Sequence, residues 1–130
     1  MKKVVVLHSD QYIMRNLKSF LEENGFEALI SSDIGAIFNT DSRYHAGFIY
    51  DPEAVAFICS YDWGFEDTTG VEIIAHVKAL RPELTRILLT MPDVREEEKD
   101  FRDHFVGRDF EDELGPDSPV RAKILELLPR

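Results

Sequence analysis

The chain has 130 residues, 44% of them hydrophobic with nine Phe, which is enough to fill one core of the commonest domain size, so a single domain spanning 1–130 is expected. Twenty-five acidic against fifteen basic residues give a net charge of −10, which repels polyanions and argues against nucleic acid as a partner. Cys59 is the single cysteine, which excludes an intrachain disulfide and a thiolate cluster for zinc or iron–sulfur; it reads as a small buried strand residue.

Met1, Lys2 and Lys3 lead into only a short apolar run, Val4 to Leu7, before His8, Ser9 and Asp10. That run is too short for a signal peptide or a membrane span, so a cytoplasmic location without a membrane partner is expected. Lys3 to Leu7 reads as a first strand, and Ile13, Leu17, Phe20 and Leu21 recur at helical spacing until Gly25 stops the helix. Phe26 to Ile30 is a second strand-like run, and Ile34, Ile37 and Phe38 suggest a short helix after it. Two apolar runs follow, Ala46 to Tyr50 and Val55 to Tyr61, separated by the turn-forming group Asp51, Pro52 and Glu53, which leaves room for an extra hairpin within 46–61. Val71, Ile73, Ile74, Val77 and Leu80 make an amphipathic helix stopped by Pro82, and Arg86 to Thr90 is a strand of the buried type. A short charged helix over 94–103, with Glu96 to Glu98 on a solvated face, precedes the brief strand of Phe105 and Val106. Val120, Ile124, Leu125 and Leu128 make the final helix.

Strands alternating with helices predict an α/β fold: a doubly wound, flavodoxin-like parallel sheet of five strands in the order 2-1-3-4-5, covered by helices on both faces. Function in such sheets collects at the carboxyl ends of the strands. Those ends carry His8, Ser9 and Asp10 after strand one, Asp62 after strand three, Thr90 after strand four and Arg108 after strand five.

With these residues in place the chain resembles, over essentially its whole length, the receiver domain of two-component response regulators, of the CheY-like superfamily. The most specific stretch runs from Asp62 through Trp63 and Gly64 to Gly70, with the acceptor-type Asp eight residues before a Gly that opens an amphipathic helix. Leu88-Leu89-Thr90 is similar to the strand whose terminal hydroxyl contacts a phosphoryl group, and Phe105-Val106-Gly107-Arg108-Asp109-Phe110 is similar to the family's aromatic-x-x-Lys-Pro-Phe segment. The resemblance implies Asp62 as phospho-acceptor, Thr90 and Arg108 as phosphoryl contacts and Phe105 as a switch aromatic. It also implies a histidine kinase or phosphotransfer protein as partner, and a protein partner or homodimer on the face formed by the fourth helix, fifth strand and fifth helix. Chemically, a carboxylate can attack phosphorus to give an acyl phosphate. The added charge is then neutralised by Mg²⁺ held on carboxylates, by a fixed cation and by a hydroxyl.

The departures are as specific. His8 and Ser9 stand where receivers carry the acidic pair for Mg²⁺, with Asp10 one place later, so any Mg²⁺ held by Asp10 and Asp62 is expected to be weakly bound or absent. Arg108 replaces the family's Lys and offers a planar fork instead of a compact ammonium, and Asp109 replaces its Pro. These features describe a degenerate receiver, a binding and switching module and not an enzyme.

Four other readings compete. Asp51, ending the run Gly47 to Asp51, is a rival acceptor, although its distance to Gly70 is far too long for the receiver spacing and a turn is its more economical role. His8, Asp10 and Asp62 could form a softer transition-metal site; the simpler reading has His8 satisfying a strand end by hydrogen bonding, with His45, His76 and His104 as surface or packing residues. A docking or assembly module without phosphorylation, a pseudo-receiver similar in size and layout to the wing domains of bacterial basic amino acid decarboxylases, is the main alternative. A haloacid-dehalogenase-type phosphatase would need a second Asp two residues after Asp62, where Gly64 stands.

Overall fold

The structure, a computed structural model, describes residues 2–9, 11–39, 47–60, 70–90, 104–107 and 119–129. Thr90 and 104–107 are described through their backbone. The β-branched run Lys3–Leu7 forms β1, and the amphipathic stretch Gln11–Glu23 forms helix α1, burying Ile13, Leu17, Phe20 and Leu21 on one stripe. Gly25, at φ 88°, ends α1: Phe26 N–H donates to Leu21 O (3.0 Å) and Gly25 N–H to Glu22 O (3.2 Å). This pairing of the last carbonyls needs a left-handed residue, which glycine adopts without a Cβ penalty.

β2 spans Glu27–Ser31 and the one-and-a-half-turn helix α2 spans Ile34–Phe38, capped by the Asp33 carboxylate, which accepts from Gly35 N–H at 3.0 Å. A 3-10 turn over Phe48–Tyr50 precedes β3 (Ala54–Ser60). Helix α3 (Gly70–Leu80), β4 (Thr85–Thr90), β5 (His104–Gly107) and helix α4 (Pro119–Leu127) complete the described elements. The five strands lie parallel in the order β2-β1-β3-β4-β5, as the sequence predicts. The helix predicted over 94–103 lies outside the described residues.

One expectation is corrected. Ala46 to Tyr50 and Val55 to Tyr61 leave room for a hairpin, but Phe48–Tyr50 winds into a 3-10 turn and the sheet gains no antiparallel strand there. The apolar side chains of this segment serve a cap, not a strand: Ile49 is fully buried, with Phe48 and Tyr50 packed around it. An apolar run this short has no period that distinguishes the two. Gly47 explains how the segment fits. A Cβ at this position would come within 2.2 Å of the Ile37 carbonyl oxygen, so only glycine lets the backbone pass α2 this closely. The Gly47 N–H donates to Asn39 O at 2.7 Å, joining the described residues on either side of 40–46.

Side chains alternate across the sheet into two cores. Val4, Val6, Ala56, Ile58, Ile87 and Leu89 meet α1 and α4 on one face. Val5, Leu7, Phe57, Cys59 and Leu88 meet α2, the 3-10 turn and α3 on the other. The register of β1 against β3 slips between Lys3 and Val4, which pair with Ala54 and Ala56; Val55 is the extra residue of a bulge, so Ala54 and Ala56 end up on opposite faces. Cys59 is the buried strand residue its sequence context predicts, and burial pushes its thiol far above the ordinary thiol range. None of the described helices is long and apolar enough to cross a membrane.

Candidate functional site at the carboxyl edge of the sheet

The strand order puts the carboxyl ends of β1, β3, β4 and β5 side by side. β1 ends at Leu7, followed by His8 and Ser9; β3 ends at Ser60, two residues before Asp62; β4 ends at Thr90; β5 ends at Gly107, one residue before Arg108. Thr90 pairs with Gly107, and Phe105 pairs with Leu88 two register steps deeper into the sheet. The segments that carry the predicted site therefore converge on one edge. Asp62, Arg108, Asp10 and Trp63 themselves lie outside the described residues, as do the side chains of Thr90 and Phe105.

Two polar residues at this edge are buried, and they are the buried polar residues among those described. His8 is 2% exposed and Ser60 is 0% exposed. The last register pair of β1 and β3 is Leu7 with Cys59, so His8 and Ser60 stand one step beyond it on adjacent strands, at the same level. By the alternation of β3, Ser60 falls on the face of Ala56 and Ile58, the side covered by α1. The His8 N–H donates to Ser31 O at 3.3 Å, extending the β1–β2 ladder by one rung. Neither His8 nor Ser60 is without a partner, in accord with the reading of His8 as a satisfied strand end. Ser9, the next residue, is exposed. Ser60 was missed by sequence reasoning, because a serine inside an apolar run carries no spacing signal; only the pairing of β3 with β1 sets it beside His8.

Asp51, the rival acceptor, sits at the other edge. It precedes β3, where Lys3 Nζ donates to its carboxylate at 2.9 Å and Glu53 N–H donates to the second carboxylate oxygen at 2.8 Å, closing the turn that Asp51-Pro52-Glu53 predicts. Burial pushes the Asp51 carboxyl up, but the Lys3 and Glu53 hydrogen bonds and the charges of Lys3 and Arg81 outweigh it and hold it below the ordinary aspartate value. The folded state therefore binds fewer protons than the unfolded chain. The resulting stabilisation is complete above about pH 4 and is lost as pH falls through the lowered folded value. Asp51→Asn is expected to be less stable than the wild-type protein at neutral pH and to converge with it on acidification, which urea unfolding midpoints across a pH series will read.

The other histidines have no ligand spacing. His76, exposed on α3, packs edge-on against Phe38 with ring centroids 5.0 Å apart; His45 lies outside the described residues. Among the described residues no group of three or more His, Cys, Asp and Glu could hold a metal ion.

No protein-family model matches the chain, and no curated protein is similar to it in sequence. Solved structures are similar in fold. The signal receiver domain of an HD domain-containing protein from Pseudomonas fluorescens Pf-5 superposes with a TM-score of 0.69 at 16% identity, covering 97% of this chain and 90% of that one. The response regulator protein TrrA from Thermotoga maritima, in complex with Mg²⁺ and BeF, gives 0.67 at 19% identity, with 98% and 100% covered. A response regulator receiver domain protein from Clostridium thermocellum gives 0.65 at 18% identity, with 95% and 90% covered. This chain has the receiver fold. At these identities the likeness is one of fold, and function rests on the residues at the receiver edge.

Mg²⁺ is the group this fold implies, and the donors described here do not fit it. Where the acidic pair is expected, the chain sets a buried histidine and a neutral hydroxyl. Mg²⁺ asks for hard oxygen ligands, carboxylates above all, and neutral imidazole is a poor substitute.

Proposed function

We propose that the chain is a receiver-type signalling module of a two-component phosphorelay, with Asp62 at the acceptor position, and that it acts by binding other proteins and not by turning over a substrate. The observation that carries this reading is the sheet order, which gathers the strand ends leading to Asp62, Thr90 and Arg108 at a single edge. In the transfer, an Asp62 carboxylate oxygen forms a bond to phosphorus as the donor's P–N or P–O bond breaks, and the leaving group departs with the electron pair. Arg108 supplies a permanent cation and Thr90 a hydroxyl for the phosphoryl oxygens. Phe105, on the β5 rung beside Leu88, is the residue through which the occupied edge would bias the face of β5 and the flanking helices. A histidine kinase or phosphotransfer protein is the donor this chemistry calls for, a cytoplasmic setting follows from that donor, and an acidic chain excludes nucleic acid as the direct target.

The second reading, a docking or assembly module that is never phosphorylated, is favoured by one observation: His8 and Ser9 occupy the acidic positions. The two readings separate in a single experiment. Trp63 directly follows Asp62 in sequence, and it is the only tryptophan. Titration with beryllofluoride, an acyl-phosphate mimic, is expected to give a saturable change in Trp63 fluorescence that vanishes in Asp62→Asn. Mass spectrometry after acetyl phosphate treatment is expected to show one phosphoryl adduct, on Asp62. An adduct on another aspartate, or no adduct and no fluorescence response, would overturn the phosphorelay reading in favour of the docking module.

A further inference from the structure

We infer that His8 and Ser60 close the metal position of this receiver edge, so that the site works without a divalent cation, and that the choice between metal-dependent and metal-free operation is set by positions 8 and 9. The inference rests on the proposed receiver reading for the location of the site. Its support is structural. His8 is 2% exposed and Ser60 is 0% exposed, although each follows or ends a strand at the edge where a cation would have to be reached from solvent. They stand on adjacent strands one step beyond the Leu7 and Cys59 pair. His8 is tied to β2 through its backbone, and both residues have partners already. A histidine buried to this degree has little of its surface open to a water-exchanging ion.

The cost of the alternative is also clear. An isolated carboxylate at this buried position would lose hydration on folding, and only a counter-ion would compensate for the loss. A receiver edge that uses Mg²⁺ accepts that cost because the cation is there to offset it. With His8 in place no such penalty arises and no cation is required for the edge to fold. Ser9 is exposed, so a carboxylate there costs little and can reach a solvated ion.

The test is isothermal titration of MgCl₂ into the full chain, run on the wild-type protein, Ser9→Asp and the double variant His8→Asp with Ser9→Asp. The wild-type protein is expected to give no saturable heat up to about 10 mM, a range that covers the weaker oxygen-ligand sites. The double variant is expected to bind Mg²⁺ saturably and to gain stability with it, with the unfolding midpoint rising as Mg²⁺ is added. Ser9→Asp alone, with His8 in place, is expected to stay without saturable heat. If a carboxylate at position 8 prevents folding, as circular dichroism would show, His8→Asn with Ser9→Asp replaces the double variant, since the amide brings an oxygen donor without a buried charge, and a saturable Mg²⁺ heat is expected. Saturable Mg²⁺ binding by the wild-type protein that is lost in Asp62→Asn would overturn the inference, as would a folded double variant that gains no binding. These outcomes do not depend on phosphorylation: absence of an adduct on Asp62 sinks the phosphorelay reading and leaves the calorimetric result intact.

Discussion

Phe57→Ala is expected to lower the unfolding free energy by about 3–5 kcal/mol, the largest loss of the substitutions considered. Phe57 is fully buried on β3, the middle strand of the sheet, paired with Val5 of β1 and Arg86 of β4. Its ring meets Phe38 at a centroid distance of 6.4 Å in a tilted arrangement, joining the sheet to α2. Truncation removes the transfer free energy of the ring and leaves a cavity among Leu7, Ile37, Ile74 and Leu88, residues held by four separate elements and unable to collapse together. Against a typical domain stability of about 5–15 kcal/mol, a loss of this size leaves a marginal fold. Urea unfolding followed by circular dichroism reads it, with Tyr12→Ala as the control: Tyr12 is 75% exposed on α1, and its loss is expected to change stability by no more than about 0.5 kcal/mol. A Phe57→Ala loss under about 1 kcal/mol would mean that the sheet and α2 are not packed as described. The consequence reaches the candidate site, because β3 sets the position of everything that follows Ser60.

Arg81→Ala is the second large effect, expected at about 2–3 kcal/mol. The guanidinium Nη1 donates to Ile49 O at 3.0 Å and to Asp51 O at 2.7 Å, while Nε donates to Glu83 Oε1 at 2.7 Å. One side chain from the turn after α3 thus satisfies two backbone carbonyls of the segment between the 3-10 turn and β3. Removing it takes the guanidinium donor from both carbonyls in a part-buried setting; Asp51 O keeps the Ala54 N–H at 3.0 Å, so most of the loss falls on Ile49 O, since the exposed pairing with Glu83 contributes little. Arg81→Lys is expected to recover only part of the loss, because both carbonyls bond to Nη1, which lies one bond farther from the backbone than a lysine Nζ, and because the Nε that holds Glu83 is lost. Full recovery by lysine in the same unfolding assay would show that charge, not geometry, is what the position supplies.

The fold was legible wherever a periodic signal met a stop. The helical spacing of Ile13, Leu17, Phe20 and Leu21 before Gly25 specifies α1 and its end, and the runs Lys3 to Leu7 and Arg86 to Thr90 specify buried parallel strands, because parallel sheets covered on both faces need unbroken apolar runs. Alternation of strand and helix then leaves few topologies, and the right-handed crossover rule selects among them. Residues 47–53 were not legible. Whether Phe48, Ile49 and Tyr50 pair as a strand or cap the core depends on partners distant in sequence: the Ile37 carbonyl that Gly47 must pass and the Arg81 guanidinium that holds Ile49 and Asp51. The same holds for Asp51, a plausible acceptor by local pattern, which the pairing of β1 with β3 sets beside Lys3 at the amino edge.

The carboxyl edge divides in the same way. The eight-residue spacing from Asp62 to Gly70, and the arrival of Thr90 and Arg108 at later strand ends, are properties of the chain alone and need no coordinates to be seen. So is the loss of the acidic pair, since His8 and Ser9 are simply the wrong donors for a hard cation. What lay beyond the chain as a string was that His8 is buried, and that Ser60 stands level with it one strand away. Burial at a sheet edge depends on the neighbouring strand, and that neighbour is separated from His8 by about fifty residues of chain, beyond the reach of any local pattern.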